Sequence, residues 1–87
     1  MQNHWIVDLR FDEDETRTTC TASLGGFSAP GVRGLGIARR NPGDSPDSTV
    51  GEELAAARAC SDLAHGLIQQ AAAGIEARTH DSARLIF

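Results

Sequence analysis

Apolar and polar residues alternate from His4 to Phe11. Trp5, Val7, Leu9 and Phe11 point one way; His4, Ile6, Asp8 and Arg10 point the other. A period of two marks a half-buried strand. Thr16 to Leu24 alternates too, with Thr18, Cys20, Ala22 and Leu24 on its more apolar side. The acidic stretch Asp12–Glu15 between them reads as a solvated hairpin tip. Closing the hairpin so that Phe11 faces Thr16 pairs Leu9 with Thr18, Val7 with Cys20 and Trp5 with Ala22, and the two apolar sides coincide. That register sets Arg10 opposite Arg17. Val32 to Arg39 is a third strand, with Leu35 and Ile37 on one side and Val32, Gly34, Gly36 and Ala38 on the other. Large residues belong in a core, so Leu35 and Ile37 are expected to face inward. The nearly bare Gly34, Gly36 and Ala38, beside Ile6, are then either a docking face for a second subunit or a plain solvated face.

The pattern changes period at Thr49. From there to Ala73 the apolar residues Val50, Leu54, Ala57, Cys60, Leu63, Ala64, Leu67, Ile68 and Ala71 recur at intervals of three and four. This predicts one helix, about 37 Å long, with that stripe buried. Thr49 and Glu52 have capping-box spacing, and Gly74 is a natural stop. Ile75–Thr79 adds a short helical turn. Ala83–Phe87 is strand-like and too apolar to hang free, so Leu85, Ile86 and Phe87 are expected on a sheet edge or a neighbouring subunit. The expected domain spans residues 1–87: a sheet over 4–39, a linker over 40–48, a long helix over 49–73 and an extension over 74–87. The fold class is α+β, a three-stranded antiparallel sheet packed on one long helix with a short C-terminal extension.

Composition narrows the chemistry. The net charge is −4, and all eight basic residues are arginine. The acidic balance argues against bulk attraction to nucleic acid or anionic membrane. No transmembrane run or basic-then-apolar leader is present, which points to the cytoplasm. Cys20 and Cys60 are then expected to be reduced and buried. The loop Gly25–Gly31 carries Phe27, expected to cap the core.

Catalytic signatures are weak. The acidic tip lacks the spaced loop and central Gly of a calcium site. His4, His65 and His80 are not at metal-ligand spacing. Gly34-Leu35-Gly36 lies inside a strand and lacks the third Gly of a dinucleotide loop. Ser61, Asp62 and His65 lie on a regular helix without the elbow or oxyanion donors of a hydrolase. No catalytic residue, metal ligand or cofactor site is assigned, and the protein is expected not to be an enzyme. Arginine suits bidentate recognition of phosphate or carboxylate. Arg10, Arg17, Arg33, Arg39 and Arg40 are therefore candidate contacts to RNA or a protein partner. The bland alternative is local pairing with acids, which is assigned to Arg58 and Asp62, one helical turn apart.

The ordered set is distinctive. It comprises His4-Trp5-x-Val7-Asp8, then Gly34-x-Gly36-x-Ala38-Arg39-x-Asn41-Pro42-x-Asp44, then Gly51-Glu52-Glu53-Leu54-x-x-Ala57-Arg58-Ala59-x-Ser61-Asp62-Leu63. Thr79-His80 and Ala83-Arg84-Leu85 complete it. It resembles a small actinobacterial family of unknown function that includes a mycobacterial protein linked to dormancy. The resemblance implies a fold like that of double-stranded-RNA-binding domains, a homodimer similar to ribosome hibernation promoting factor, and a role in translational shutdown under stress. One departure matters. Where such RNA-binding domains place lysines at the start of the long helix, this chain has Gly51-Glu52-Glu53, so the conventional double-stranded-RNA mode is disfavoured. Ribosome contact then falls to the arginines or to a protein partner. The alternative function is a dimeric protein–protein interaction module that touches no RNA.

Overall fold

The computed structural model describes residues 1–40 and 48–79. Three strands, β1 (Trp5–Glu13), β2 (Arg17–Gly26) and β3 (Arg33–Arg39), form an antiparallel sheet in the order β1-β2-β3. One helix, α1 (Ser48–Thr79), lies across one face of it. The α+β class and the element order are those expected. The linker residues 41–47 and the tail, with His80, Leu85, Ile86 and Phe87, lie outside the described residues.

The β1–β2 register differs from expectation. Phe11 lies opposite Cys20, Leu9 opposite Ala22, Val7 opposite Leu24 and Trp5 opposite Gly26. The hairpin turns later because β1 runs on through Asp12 and Glu13, and Asp14 makes the turn. Its Oδ1 accepts the backbone N–H groups of Thr16 (2.8 Å) and Arg17 (2.9 Å) and the Thr16 hydroxyl (3.0 Å). An aspartate that bonds the backbone two and three residues ahead is a strong turn former. The shift is an even number of residues, so the apolar sides still coincide. Arg10 now faces Thr21, and Arg17 faces Arg39 across β2–β3.

The facing of β3 is the reverse of that expected. Thr18, Cys20 and Ala22 pair with Ala38, Gly36 and Gly34, and all six are buried beneath α1. Leu35 is about half exposed on the opposite face, with Ile37 beside it. Close approach explains this. A Cβ added to Gly36 would sit 2.1 Å from the Ala55 carbonyl oxygen and 2.4 Å from the Ala59 nitrogen. One added to Gly34 would sit 2.2 Å from the Ala59 oxygen and 2.5 Å from the Leu63 nitrogen. The helix backbone rests on the strand backbone, and only glycine fits between them. Gly34, Gly36 and Ala38 are therefore the seat of the helix and not a face for a partner. Ile6, by contrast, is exposed on the far side of the sheet.

The buried helical positions follow from that seat. Ala55, Ala59 and Leu63 recur every fourth residue and join Cys20, Ala22 and Ala38 in the core. Five members of the expected stripe, Val50, Leu54, Ala57, Cys60 and Ala71, are exposed. Small residues outcompete large ones for the sheet because they allow the backbones to touch. Cys20 is the buried cysteine, and both thiols are free. Burial, then the charge of the nearby Cys60, pushes the Cys20 thiol above its ordinary range. Phe27 is exposed, so it does not cap the core; its carbonyl accepts Trp5 Nε1–H at 3.1 Å.

The helix does not stop at Gly74 but runs on to Thr79, absorbing the expected separate turn. Its 32 residues span about 48 Å, against about 33 Å for the longest strand. Contacts run from Gly51 against Thr18 at one end to Gly66 against Val32 at the other. Beyond Gly66 roughly 20 Å of helix projects past them.

Two substitutions separate these readings. Gly36→Ala is expected to cost at least about 2 kcal/mol, because backbone and not a flexible side chain blocks the methyl. Gly74→Ala, with nothing within 4 Å of the added carbon, is expected to stabilise by about 0.5–1 kcal/mol through helix propensity. Urea unfolding of the two variants beside the parent checks both signs.

Candidate binding face of the sheet

Reversing β3 changes where the arginines go. The face of the sheet away from α1 carries the even residues of β1 and the odd residues of β2 and β3. Its cross-strand rows are Asp12–Thr19–Ile37, Arg10–Thr21–Leu35 and Asp8–Ser23–Arg33, with Arg17 beside Arg39 at one end. Four of the five candidate arginines, Arg10, Arg17, Arg33 and Arg39, therefore share one face. Hydroxyls of Thr19, Thr21 and Ser23 lie between them. Asp8 and Asp12 are the acids in these rows, so this face is net positive on a chain whose total charge is −4.

The fifth, Arg40, joins Arg17 and Arg39 at the hairpin end. Its N–H donates to the Thr16 carbonyl at 2.8 Å and continues the β2–β3 register. Asp14, Thr16, Arg17, Arg39 and Arg40 line one open cleft. Arg17 Nε lies 3.6 Å from Asp14 Oδ2, with both side chains more than half exposed. Such a pair contributes little to stability. Three guanidinium groups around one carboxylate leave donors to spare for an anion. The hydrogen bonds from the Thr16 backbone and hydroxyl and the Arg17 backbone hold the Asp14 carboxyl below its ordinary 3.8, and the Arg17 charge adds to this. Arg33 lies at the other end of the face. Arg10 is mid-strand, 3.4 Å from Asp8.

Arg58 and Asp62 do not pair as helix neighbours. Arg58 Nη1 donates to the Ile37 carbonyl at 2.6 Å, and Asp62 Oδ2 accepts the Leu35 N–H at 2.8 Å. Both bonds reach over the helix flank to the outer edge of β3. Sequence spacing suggested the helix pair; only knowledge of which strand edge lies beside α1 reveals the actual partners. This also separates Asp62 from His65, whose Nδ1–H donates to the Ser61 carbonyl at 2.8 Å. The arrangement is that of a helix surface and not of a nucleophile and its base. Among the described residues no group of three His, Cys, Asp or Glu is placed to hold a metal ion, and no helix is long and apolar enough to cross a membrane.

Comparison with known proteins places this geometry among relatives. The Rv2632c-like family model matches residues 3–84. Uncharacterized protein Mb1767 of Mycobacterium bovis is 40% identical over 84 residues, which cover 97% of this chain and 88% of the relative. Uncharacterized protein Rv2632c of Mycobacterium tuberculosis is 40% identical over 74 residues, 85% of this chain and 78% of the relative. The crystal structure of Rv2632c superposes with a TM-score of 0.82 at 37% identity, covering 93% of this chain and 95% of that one.

The turn carboxylate supplies a pH signature. Its folded pKa is depressed, so its contribution to stability is present above the ordinary value of 3.8 and disappears as pH falls through the lower folded value. Asp14→Ala is expected to lower stability at neutral pH and to flatten the loss of stability on acidification below pH about 4. Unfolding midpoints for parent and variant, measured from pH about 6 to 2, check the sign.

Proposed function

The chain belongs to the Rv2632c-like family, and we propose that it is a non-enzymatic binding protein whose arginine-bearing sheet face docks on a polyanionic surface, with the ribosome as the candidate. The carrying observation is the segregation of charge: Arg10, Arg17, Arg33 and Arg39 gather on one face of an acidic chain. Random placement of local ion pairs would not separate the arginines from most of the acids. A guanidinium fork matches phosphate oxygens in two directions at once, and hydroxyls between the forks add neutral donors. The opposite side of the domain suits this reading, because Glu52 and Glu53 lie near the start of α1 and turn phosphate away from the helix. Contact therefore runs through the sheet, unlike the helix-led mode of double-stranded-RNA-binding domains. The physiological setting we propose is cytoplasmic translational shutdown under stress or dormancy.

A second reading is a protein–protein interaction module without RNA contact. The apolar residues left uncovered on β1 favour it, since Trp5, Val7, Leu9 and Phe11 are each 36–45% exposed.

Sedimentation with purified ribosomes across a salt series tests the first reading. Co-migration that fades as salt rises is expected. Arg17→Ala with Arg39→Ala is expected to weaken binding about tenfold or more and to lower the salt slope by about 2. Arg78→Ala, on the helix end, is expected to change nothing. A protein that stays free of ribosomes at every salt concentration sinks the reading.

A further inference from the structure

The cleft at the hairpin end holds more positive charge than the fold uses. Arg17 and Arg39 are Cα partners across β2–β3. The ladder bond from the Arg40 N–H to the Thr16 carbonyl belongs to the neighbouring pair. Arg17 and Arg39 are therefore a pair without ladder bonds, the kind whose side chains stand closest. Like charges placed so are destabilising. Asp14 offsets one of them. Its Oδ2 lies 3.6 Å from Arg17 Nε, while its Oδ1 is committed to the turn. Both Nη groups of Arg17 stay uncommitted. Among the described residues no acid pairs with Arg39 or Arg40. Arg39 is exposed and Arg40 half-buried, and both stand on backbone held by the β2–β3 ladder. Three guanidinium charges against one carboxylate leave the cleft two positive charges in excess. That excess is a cost to the free domain, and a bound anion removes it.

We propose that this cleft is a binding site for a phosphomonoester dianion, the terminal phosphate of a nucleotide, free or at the end of an RNA strand. The proposal rests on the reading of these arginines as phosphate-binding groups and goes beyond it in naming one cleft and one ionic form. Charge selects the form. A phosphodiester or a carboxylate brings one negative charge and leaves one cation unanswered. A phosphomonoester brings nearly two at neutral pH, both on the oxygens of one phosphorus. Its three free oxygens also suit forks that arrive from three residues, where a diester has two. Size agrees. The cleft encloses about 370 Å³, the small end of ligand pockets, which suits a phosphate and its sugar. The surroundings favour a nucleotide over other monoesters. Arg10 and Arg33, with the hydroxyls of Thr21 and Ser23, continue along the same face. A strand that starts in the cleft meets them with its further phosphates, whereas the backbone of a phosphopeptide has no charge to offer them.

Calorimetric titration of the chain tests this. The probes are adenosine 5′-monophosphate and a 5′-phosphorylated uridine tetranucleotide, each beside its unphosphorylated counterpart. The phosphorylated forms are expected to bind about tenfold tighter or more. Their affinity is expected to fall about tenfold between pH about 7.5 and about 5, because a phosphomonoester takes up its second proton near pH about 6. Sulfate, a dianion throughout, is expected to compete equally at both pH values. The charged groups at the cleft are Asp14, Arg17, Arg39 and Arg40. The hairpin tip and the start of α1 add Asp12, Glu13, Glu15, Glu52 and Glu53. Carboxylates and guanidinium groups ordinarily titrate outside that interval. His4 precedes β1 at the opposite end of the sheet, and His65 bonds to Ser61 on the helix. Arg40→Ala is expected to weaken both phosphorylated probes about tenfold or more. Arg39→Lys keeps the charge and removes the fork, and is expected to weaken them about threefold or more. Urea unfolding verifies that each variant is folded; Arg39 is exposed, so its variant decides the matter if Arg40→Ala unfolds the chain. A tetranucleotide that binds tighter than the mononucleotide assigns the cleft to an RNA end, and equal affinities assign it to a free nucleotide. Indifference to the 5′-phosphate, sulfate competition that fades in step with pH, or indifference to the substitutions overturns the proposal. A chain that sediments with ribosomes yet ignores the phosphorylated probes keeps the reading of the face and loses this one, and the converse result does the reverse.

Discussion

The fold depends on the contact between two backbones. α1 lies on β3 at Gly34 and Gly36, where the strand has no side chain to hold off the helix backbone of Ala55, Ala59 and Leu63. Among the described residues the core that follows is made of small side chains: Cys20 is the largest that is fully buried, and Leu63 is the one buried leucine in the cluster. Such a core stabilises by close packing over many short contacts more than by large transfer energies. It also sets the lateral position of the helix. A helix drawn down onto β3 and β2 leaves β1 beyond the reach of its side chains, and the aromatic and aliphatic residues of β1 stay uncovered for that reason.

The same contact organises the polar side. Placing the glycines inward obliges Arg33, Leu35, Ile37 and Arg39 to face outward, next to Thr19, Thr21 and Ser23. Charge separation across the sheet is thus a result of how the helix is seated. The acids Glu52 and Glu53 travel with the helix, while most of the strand arginines travel with the opposite face. Asp14 links the two levels: it makes the turn that defines the register, and it borders the cleft where Arg17, Arg39 and Arg40 meet.

Periodicity made the elements legible, because alternation and the change to a three-to-four spacing are local properties. The partition of β1 and β2 into inner and outer faces was legible as well, since an even shift in register does not alter it. The facing of β3 was not. Hydrophobicity argues for Leu35 and Ile37 inside, and only the presence of a helix backbone at contact distance makes glycine the better inward residue. The helical stripe was ambiguous for a related reason: alanines surround α1, and size, which usually marks the buried side, here marks the exposed one at Val50 and Leu54. Gly74 resembles a stop yet lies within a helix whose alanine-rich surroundings carry it onward. As for the candidate site, the arginines were legible as a set from their type. Their convergence was not, because it follows from the facing of β3. Arg58 and Asp62 carried a signal for each other and none for the strand edge they occupy.

That occupied edge bears on where the sheet can take on a further strand. A sheet with two open edges adds copies at both sides and grows without limit. Here Arg58 and Asp62 take up the outward backbone groups of β3, so the sheet has one side at which it is able to grow. Two side chains on the flank of a helix thus act as an end-stop on one side of the sheet.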